Sequence, residues 1–165
     1  FEKGSSTNIV VEAITTHNIY NEDGLVVRED DFYRDEMESE GTKKVIELSG
    51  PIFDTLINGN TLIVDELDAK LHPLLTRNIV LLFMDPERNK HGAQLIFATH
   101  DTNLLDLSML RRDQIWFAEK DKVESTDIYS LVEFEEDGQE EPNNKHDIER
   151  DYIRGRYGAI PFIGK

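Results

Sequence analysis

The sequence predicts an α/β chain: a mostly parallel sheet flanked by helices, with a short N-terminal β-hairpin. Three observations point there. Leu62 to Val64 is fully apolar rather than alternating, as strands covered on both faces of a parallel sheet tend to be, and Ala93 to Ala98 reads as a second buried strand. Between them lie about thirty residues with a helical pattern, enough for the crossover that parallel neighbours require. Near the start, β-rich segments flank the turn Asn21-Glu-Asp-Gly24.

In chain order, Asn8 to Thr16 reads as a first strand and Leu25 to Arg28 as its hairpin partner. The acidic run Glu29 to Glu40 reads as a linker or a solvated helix. From Gly41, the apolar positions Val45, Ile46, Leu48, Ile52, Phe53, Leu56 and Ile57 recur at helical spacing, and Asn58-Gly-Asn60 ends the helix. Pro51 inside that pattern predicts a kink or a break. Pro73 to Met84 is a helix with proline in its first turn, and His72 is placed to cap or orient it. After the strand Ala93 to Ala98 come a short helix over Asn103 to Leu110, strands over Gln114 to Ala118 and Thr126 to Phe134, and an acidic loop over Glu135 to Asn144. A last helix spans Asp147 to Tyr157. The expected domains are a hairpin and acidic linker over 1–37, an α/β lobe over 38–134, and a loop with a C-terminal helix and tail over 135–165.

Composition narrows the function. Asp and Glu number 34 against 18 Lys and Arg, a formal net charge of −16, which argues against this chain alone binding nucleic acid or an anionic membrane. The absence of cysteine excludes disulfides and cysteine-ligated zinc, and fits a cytoplasmic location. No apolar stretch is long enough to span a membrane. The chain opens on Phe1 without an initiator methionine and reads like an internal cut.

The chemistry gathers where the apolar strands end. In Leu62-Ile-Val-Asp-Glu66 the carboxylates emerge at the C-terminal end of a buried strand, where ligand crevices of open α/β sheets lie. Asp65 there can serve Mg²⁺, usually through water, and Glu66 can orient or deprotonate an attacking water. The competing reading is a strand that ends in a charged turn. Thr99-His100 closes the neighbouring strand in the same way, and His100 could donate a hydrogen bond to a γ-phosphate. Ser39-Glu-Gly-Thr42 stands at a helix start, as either an anion site or an ordinary N-cap. His17, His91 and His146 lack metal-ligand spacing and read as surface residues.

Taken together, SEGTKK (Ser39–Lys44), DELDAKLHP (Asp65–Pro73), ATHD (Ala98–Asp101), LRRDQI (Leu110–Ile115) and RYGAIP (Arg156–Pro161) resemble, in order and spacing, the C-terminal lobe of ABC-type ATPases of the SMC/RecF kind. More narrowly they resemble bacterial AAA-family ATP-binding proteins of the abortive-infection (RloA-like) group. The resemblance runs from about Glu38 to the C-terminus. It implies a P-loop NTPase fold, ATP and Mg²⁺ as cofactors, and a homodimer that sandwiches ATP. Ser39, Gly41 and Thr42 fall in the signature motif that contacts the partner's ATP, although Glu40 stands at the usual first glycine. Asp65 matches the Walker B aspartate, Glu66 the catalytic base, Asp68 the D-loop and His100 the switch histidine.

No G-x-x-x-x-G-K-[S/T] occurs in the sequence. Gly158 and Gly164-Lys165 come nearest, but five residues separate the glycines, no Ser or Thr follows, and Pro161 removes an N–H. The phosphate loop is therefore expected in a separate N-terminal lobe, and the 165 residues alone are expected to be inactive. An effector nuclease or DNA is a further candidate partner for the whole system. Two alternatives remain: a non-catalytic module docking on an N-lobe or effector, and a free-standing metal-dependent hydrolase using Asp65, Glu66 and His100.

Overall fold

The computed structural model describes residues 13–121, 124–134 and 145–160. The start of the expected Asn8–Thr16 strand, the acidic loop at 135–144 and the end of the GAIPFIGK tail lie outside them. The chain divides into two compact units, Phe1–Asp54 and Thr55–Lys165, each taken by itself below.

In the first unit, β1 (Ile14–Tyr20) and β2 (Val26–Tyr33) pair antiparallel, from Ile14 opposite Tyr33 to Tyr20 opposite Val26. The expected turn closes them. Asn21 Oδ1 accepts from the N–H groups of Asp23 (3.1 Å) and Leu25 (2.9 Å), and Gly24 takes φ +76°, which suits a residue without Cβ. The hairpin extends beyond the predicted ends, because Glu29 to Tyr33 continue β2 where composition suggests a linker or solvated helix. Only Arg34–Met37 forms a turn of helix, α1. Alternation within Glu29–Tyr33 carries this: Asp30 and Phe32 are half-buried while Glu29, Asp31 and Tyr33 are exposed.

Helix α2 (Glu40–Asn58) follows and runs unbroken through Pro51. The preceding residue is Gly50, whose missing Cβ removes the clash that normally drives a pre-proline residue out of the helical region. At its end Gly59 adopts φ +67°, and a Cβ there would meet His91 O at 2.5 Å. Gly59→Ala should therefore destabilise the chain by at least about 2 kcal/mol, combining the left-handed backbone with a clash against a main-chain oxygen. Urea unfolding would show the loss as a lower midpoint, and an unchanged midpoint would contradict it.

In the second unit, β3 (Thr61–Val64) and β4 (Gln94–Phe97) pair parallel, with Thr61 opposite Gln94 and Val64 opposite Phe97. Their connection contains α3 (Pro73–Met84), which buries Thr76, Val80 and Phe83 along one helical stripe. His72 caps α3 as expected, its Nδ1 accepting from Leu74 N at 3.2 Å, with Pro73 in the first turn. The return loop is held by Asn89, whose side chain donates to Phe83 O and Ala93 O and accepts from Ala93 N.

The expectation of a mostly parallel sheet is met only by this pair. The described residues form three two-stranded sheets, and two of them are antiparallel. β5 (Trp116–Lys120) and β6 (Thr126–Ser130) make a hairpin. The reason was present in the spacing, since the link between these strands is far shorter than the dozen residues a parallel crossover needs. The helix expected over Asn103–Leu110 is reduced to a 3-10 turn at Thr102–Leu104. Here short side chains compete for the backbone: Asp101 Oδ1 accepts from Asn103 N (3.0 Å) and Asp106 Oδ1 from Ser108 N (2.9 Å).

The last helix, α4 (Lys145–Ile153), is followed by Gly155 at φ +79°. Its Ile148 is fully buried. Phe117 of β5 stacks on Tyr152 and Tyr157 with ring centroids 5.5 Å apart in each case, and Tyr129 Oη donates to Tyr157 O at 2.7 Å. An aromatic cluster thus joins the C-terminal turn to the β5–β6 hairpin.

Candidate functional site

The parallel register of β3 and β4 brings two turns side by side at the strands' C-terminal ends. Beyond Val64 and Phe97 the pairing continues through Ala98 N to Val64 O (3.0 Å) and Leu67 N to Ala98 O (3.0 Å). Leu67 is fully buried and anchors the turn, while Asp65 and Glu66 on its outer side are exposed. Glu66 holds φ +49°, a region that costs a residue with a side chain about 1–2 kcal/mol, and its carbonyl accepts from Ala69 N at 3.0 Å. The chain thus reverses sharply at Glu66, presenting both carboxylates to solvent while returning Leu67 to the core.

Asp68 ties the two turns together. Its Oδ1 accepts from Thr99 Oγ1 (2.7 Å) and from His100 N (3.2 Å). Burial raises its pKa, but these hydrogen bonds outweigh burial and hold the carboxyl below its ordinary value. The family resemblance matches Asp68 to the D-loop. The sequence held no sign that the carboxylate caps the turn carrying the histidine, because the partner lies 31 residues away. His100 itself is exposed. Next to it, Asp101 N donates to Thr99 Oγ1 at 3.0 Å, and Asp101 Oδ2 is buried with no hydrogen-bond partner among the described residues.

Ser39, Gly41 and Thr42 belong to the first unit and are described there alone. Ser39 acts as the N-cap of α2: its Oγ accepts from Thr42 N at 3.1 Å and lies 2.9 Å from Thr42 Oγ1. The residue before it, Glu38, receives hydrogen bonds from Thr15 Oγ1 and His17 Nε2 of β1. The bond from Thr15, and then that from His17, hold the Glu38 carboxyl below its usual range. His17 therefore has a structural partner where a plain surface role was expected, and the helix start that carries Ser39 is tethered to the hairpin.

Among the described residues, no three His, Asp or Glu side chains gather as a metal cage. Mg²⁺ commonly takes one or two carboxylates and completes its octahedron with water and substrate phosphates. Asp65, exposed at the strand end, suits such an arrangement. No helix among the described residues is long and apolar enough to cross a membrane.

Comparison with known proteins agrees with this region of the chain. A family model described as "AAA domain, putative AbiEii toxin, Type IV TA system" matches residues 13–106. The match opens on the β1–β2 hairpin, which lies ahead of the motifs that carry the resemblance in the sequence, and ends at Asp106, before β5. No curated protein and no solved structure matches the chain. With more than half of its length within that match, including both turns around Asp68, the chain belongs to this AAA family of ATPase-like, nucleotide-binding domains.

Proposed function

We propose that this chain contributes the carboxylate and histidine part of an ABC-type ATP-hydrolysing site, completed by a phosphate loop on another polypeptide segment. The observation that carries the reading is the joined pair of turns after β3 and β4, with Asp65, Glu66 and His100 exposed at the same strand ends. Glu66 would orient water and take its proton, and His100 would hydrogen-bond the γ-phosphate as charge develops on it. Asp65 would hold Mg²⁺ through water, the ion supplying charge neutralisation on the phosphates. Ser39, Gly41 and Thr42, at the start of a 19-residue helix, would meet the γ-phosphate of ATP bound by a second subunit. A role in phage defence or a toxin–antitoxin system, with an effector nuclease or DNA as further partner, extends the description of the family to this chain.

Exposed apolar surface supports a further lobe. Ile63 and Ile96 are opposite each other on β3 and β4 and are 73% and 56% exposed, although parallel strands are normally covered on both faces. The same surface favours the second reading, a docking module without catalysis, and nucleotide dependence separates the two. Mixed with a lobe that carries the phosphate loop, the chain should associate and dimerise with ATP and Mg²⁺ but not with ADP, as followed by light scattering. Nucleotide-independent association would favour the docking module. Robust Mg²⁺-dependent hydrolysis by the 165 residues alone, abolished by Glu66→Gln, would overturn the need for a second lobe.

A further inference from the structure

The C-terminal helix lies outside the family match, yet it reaches the turn that carries the histidine. Thr102 Oγ1 donates to Glu149 Oε1 of α4 at 2.7 Å, across 47 residues of sequence. Thr102 is two positions after His100 and opens the 3-10 turn that follows it. The helix end of this link is well braced. Ile148, beside Glu149, is fully buried. Asp151, two positions on, pairs with Arg156 Nη1 at 2.9 Å, and Tyr157 is buried with its carbonyl accepting from Tyr129 Oη. Tyr152 Oη donates to Ala159 O at 3.0 Å. The stretch from Arg156 to Ala159, which the proposed chemistry does not use, thereby has a mechanical role in holding α4.

We propose that Glu149 is a positioning residue for His100, and that α4 fixes the Thr99–Thr102 turn from one side while Asp68 fixes it from the other. The turn also has local bonds of its own, from Asp101 N to Thr99 Oγ1 and from Asn103 N to Asp101 Oδ1. It is irregular backbone between β4 and a single 3-10 turn, and His100 is solvent-exposed. Side-chain bonds from two separate elements, Asp68 to Thr99 and His100 N, and Glu149 to Thr102, restrict it at both ends. Displacing α4 would release one of them, so a ligand or partner that moves α4 would act on His100 without touching it. The importance of His100 rests on the proposed ATP chemistry, whereas the link itself does not.

The test uses amide hydrogen exchange of the 165-residue chain, read residue by residue by NMR without nucleotide. Glu149→Ala should speed exchange at the His100 and Asp101 amides about tenfold, the scale of losing a hydrogen bond to a charged acceptor. Amides within Ile148–Ile153 should change little, and Glu149→Gln, which keeps an acceptor oxygen in place, should remain near wild type. Thr102→Val removes the donor from the other side and should reproduce the effect if Glu149→Ala fails to fold. Unchanged exchange at His100 and Asp101 in the folded variant would overturn the proposal, as would a uniform rise along the whole chain. Failure here would leave the ATPase reading standing, and absence of ATP turnover would leave the link standing.

Discussion

Glu66→Gln is expected to lower ATP turnover about a hundred- to ten-thousandfold once the chain is assembled with a phosphate loop, the range over which a positioned general base contributes. Glutamine keeps the length and one acceptor oxygen of the side chain but cannot take a proton from water. The substitution should leave the turn intact, because Glu66 is exposed and its structural bond, to Ala69 N, comes from the main chain. Nucleotide binding should therefore persist and the ATP-bound dimer should accumulate. Phosphate release and light scattering measured on the same sample would show both. Turnover close to wild type would remove Glu66 from the catalytic role and return the acidic run to a solvated turn.

The largest stability effect is expected at Arg77. Its Nη1 donates to Asp106 Oδ2 at 2.8 Å, joining α3 to the segment after the 3-10 turn. The Asp106 side chain is only 4% exposed, whereas that of Arg77 is 32% exposed. Arg77→Met keeps the apolar stem but takes the guanidinium away from a buried carboxylate. The expected cost is about 3 kcal/mol, at the low end for a broken buried pair because Arg77 is partly solvated. Two bonds from Ser108, from Oγ at 2.6 Å and N at 2.9 Å, remain to Asp106 and limit the loss. Equilibrium urea unfolding would measure it, and a midpoint unchanged from wild type would contradict it.

The same pair gives the acid side of the stability curve its direction. Burial raises the Asp106 pKa, but the bonds from Ser108 and the Arg77 guanidinium outweigh it and hold the carboxyl below 3.8. Because the folded-state pKa is depressed, the stabilisation is fully present above the unfolded value near 3.8 and is lost as pH falls through the folded value. Asp68 shifts in the same direction and adds to the loss in the same acidic window. In Arg77→Met the Asp106 part of that dependence should shrink, so the variant and wild type converge at low pH.

Several elements were legible in the sequence because their causes are local. Asn21 and Gly24 make the hairpin turn from their own side-chain and φ preferences. His72 and Pro73 start α3, and Gly59 ends α2. The errors came where local pattern met a competitor. Apolar content after Asp101 looked helical, but the Asp101 and Asp106 side chains bind backbone N–H groups that a helix would need. Acidic composition hid a strand over Glu29–Tyr33, since net charge says nothing about alternation. Gln114–Ala118 and Thr126–Phe134 read as strands, and only the length of the link between them distinguished a hairpin.

The order of the chemistry was already written in the residues: an apolar run delivering Asp65 and Glu66, a crossover helix, and a second apolar run delivering His100. Strand pairing with a covalent crossover of that length leaves few other arrangements, so the adjacency of the two turns followed. What holds those turns became visible only in the folded chain. Asp68 with Thr99, Arg77 with Asp106 and Thr102 with Glu149 are pairs separated by 31, 29 and 47 residues. A single sequence carries the identity of each partner but not the packing that brings it within hydrogen-bond reach. That packing depends on the buried Leu67 and Ile148, whose neighbours are set only when the chain has folded.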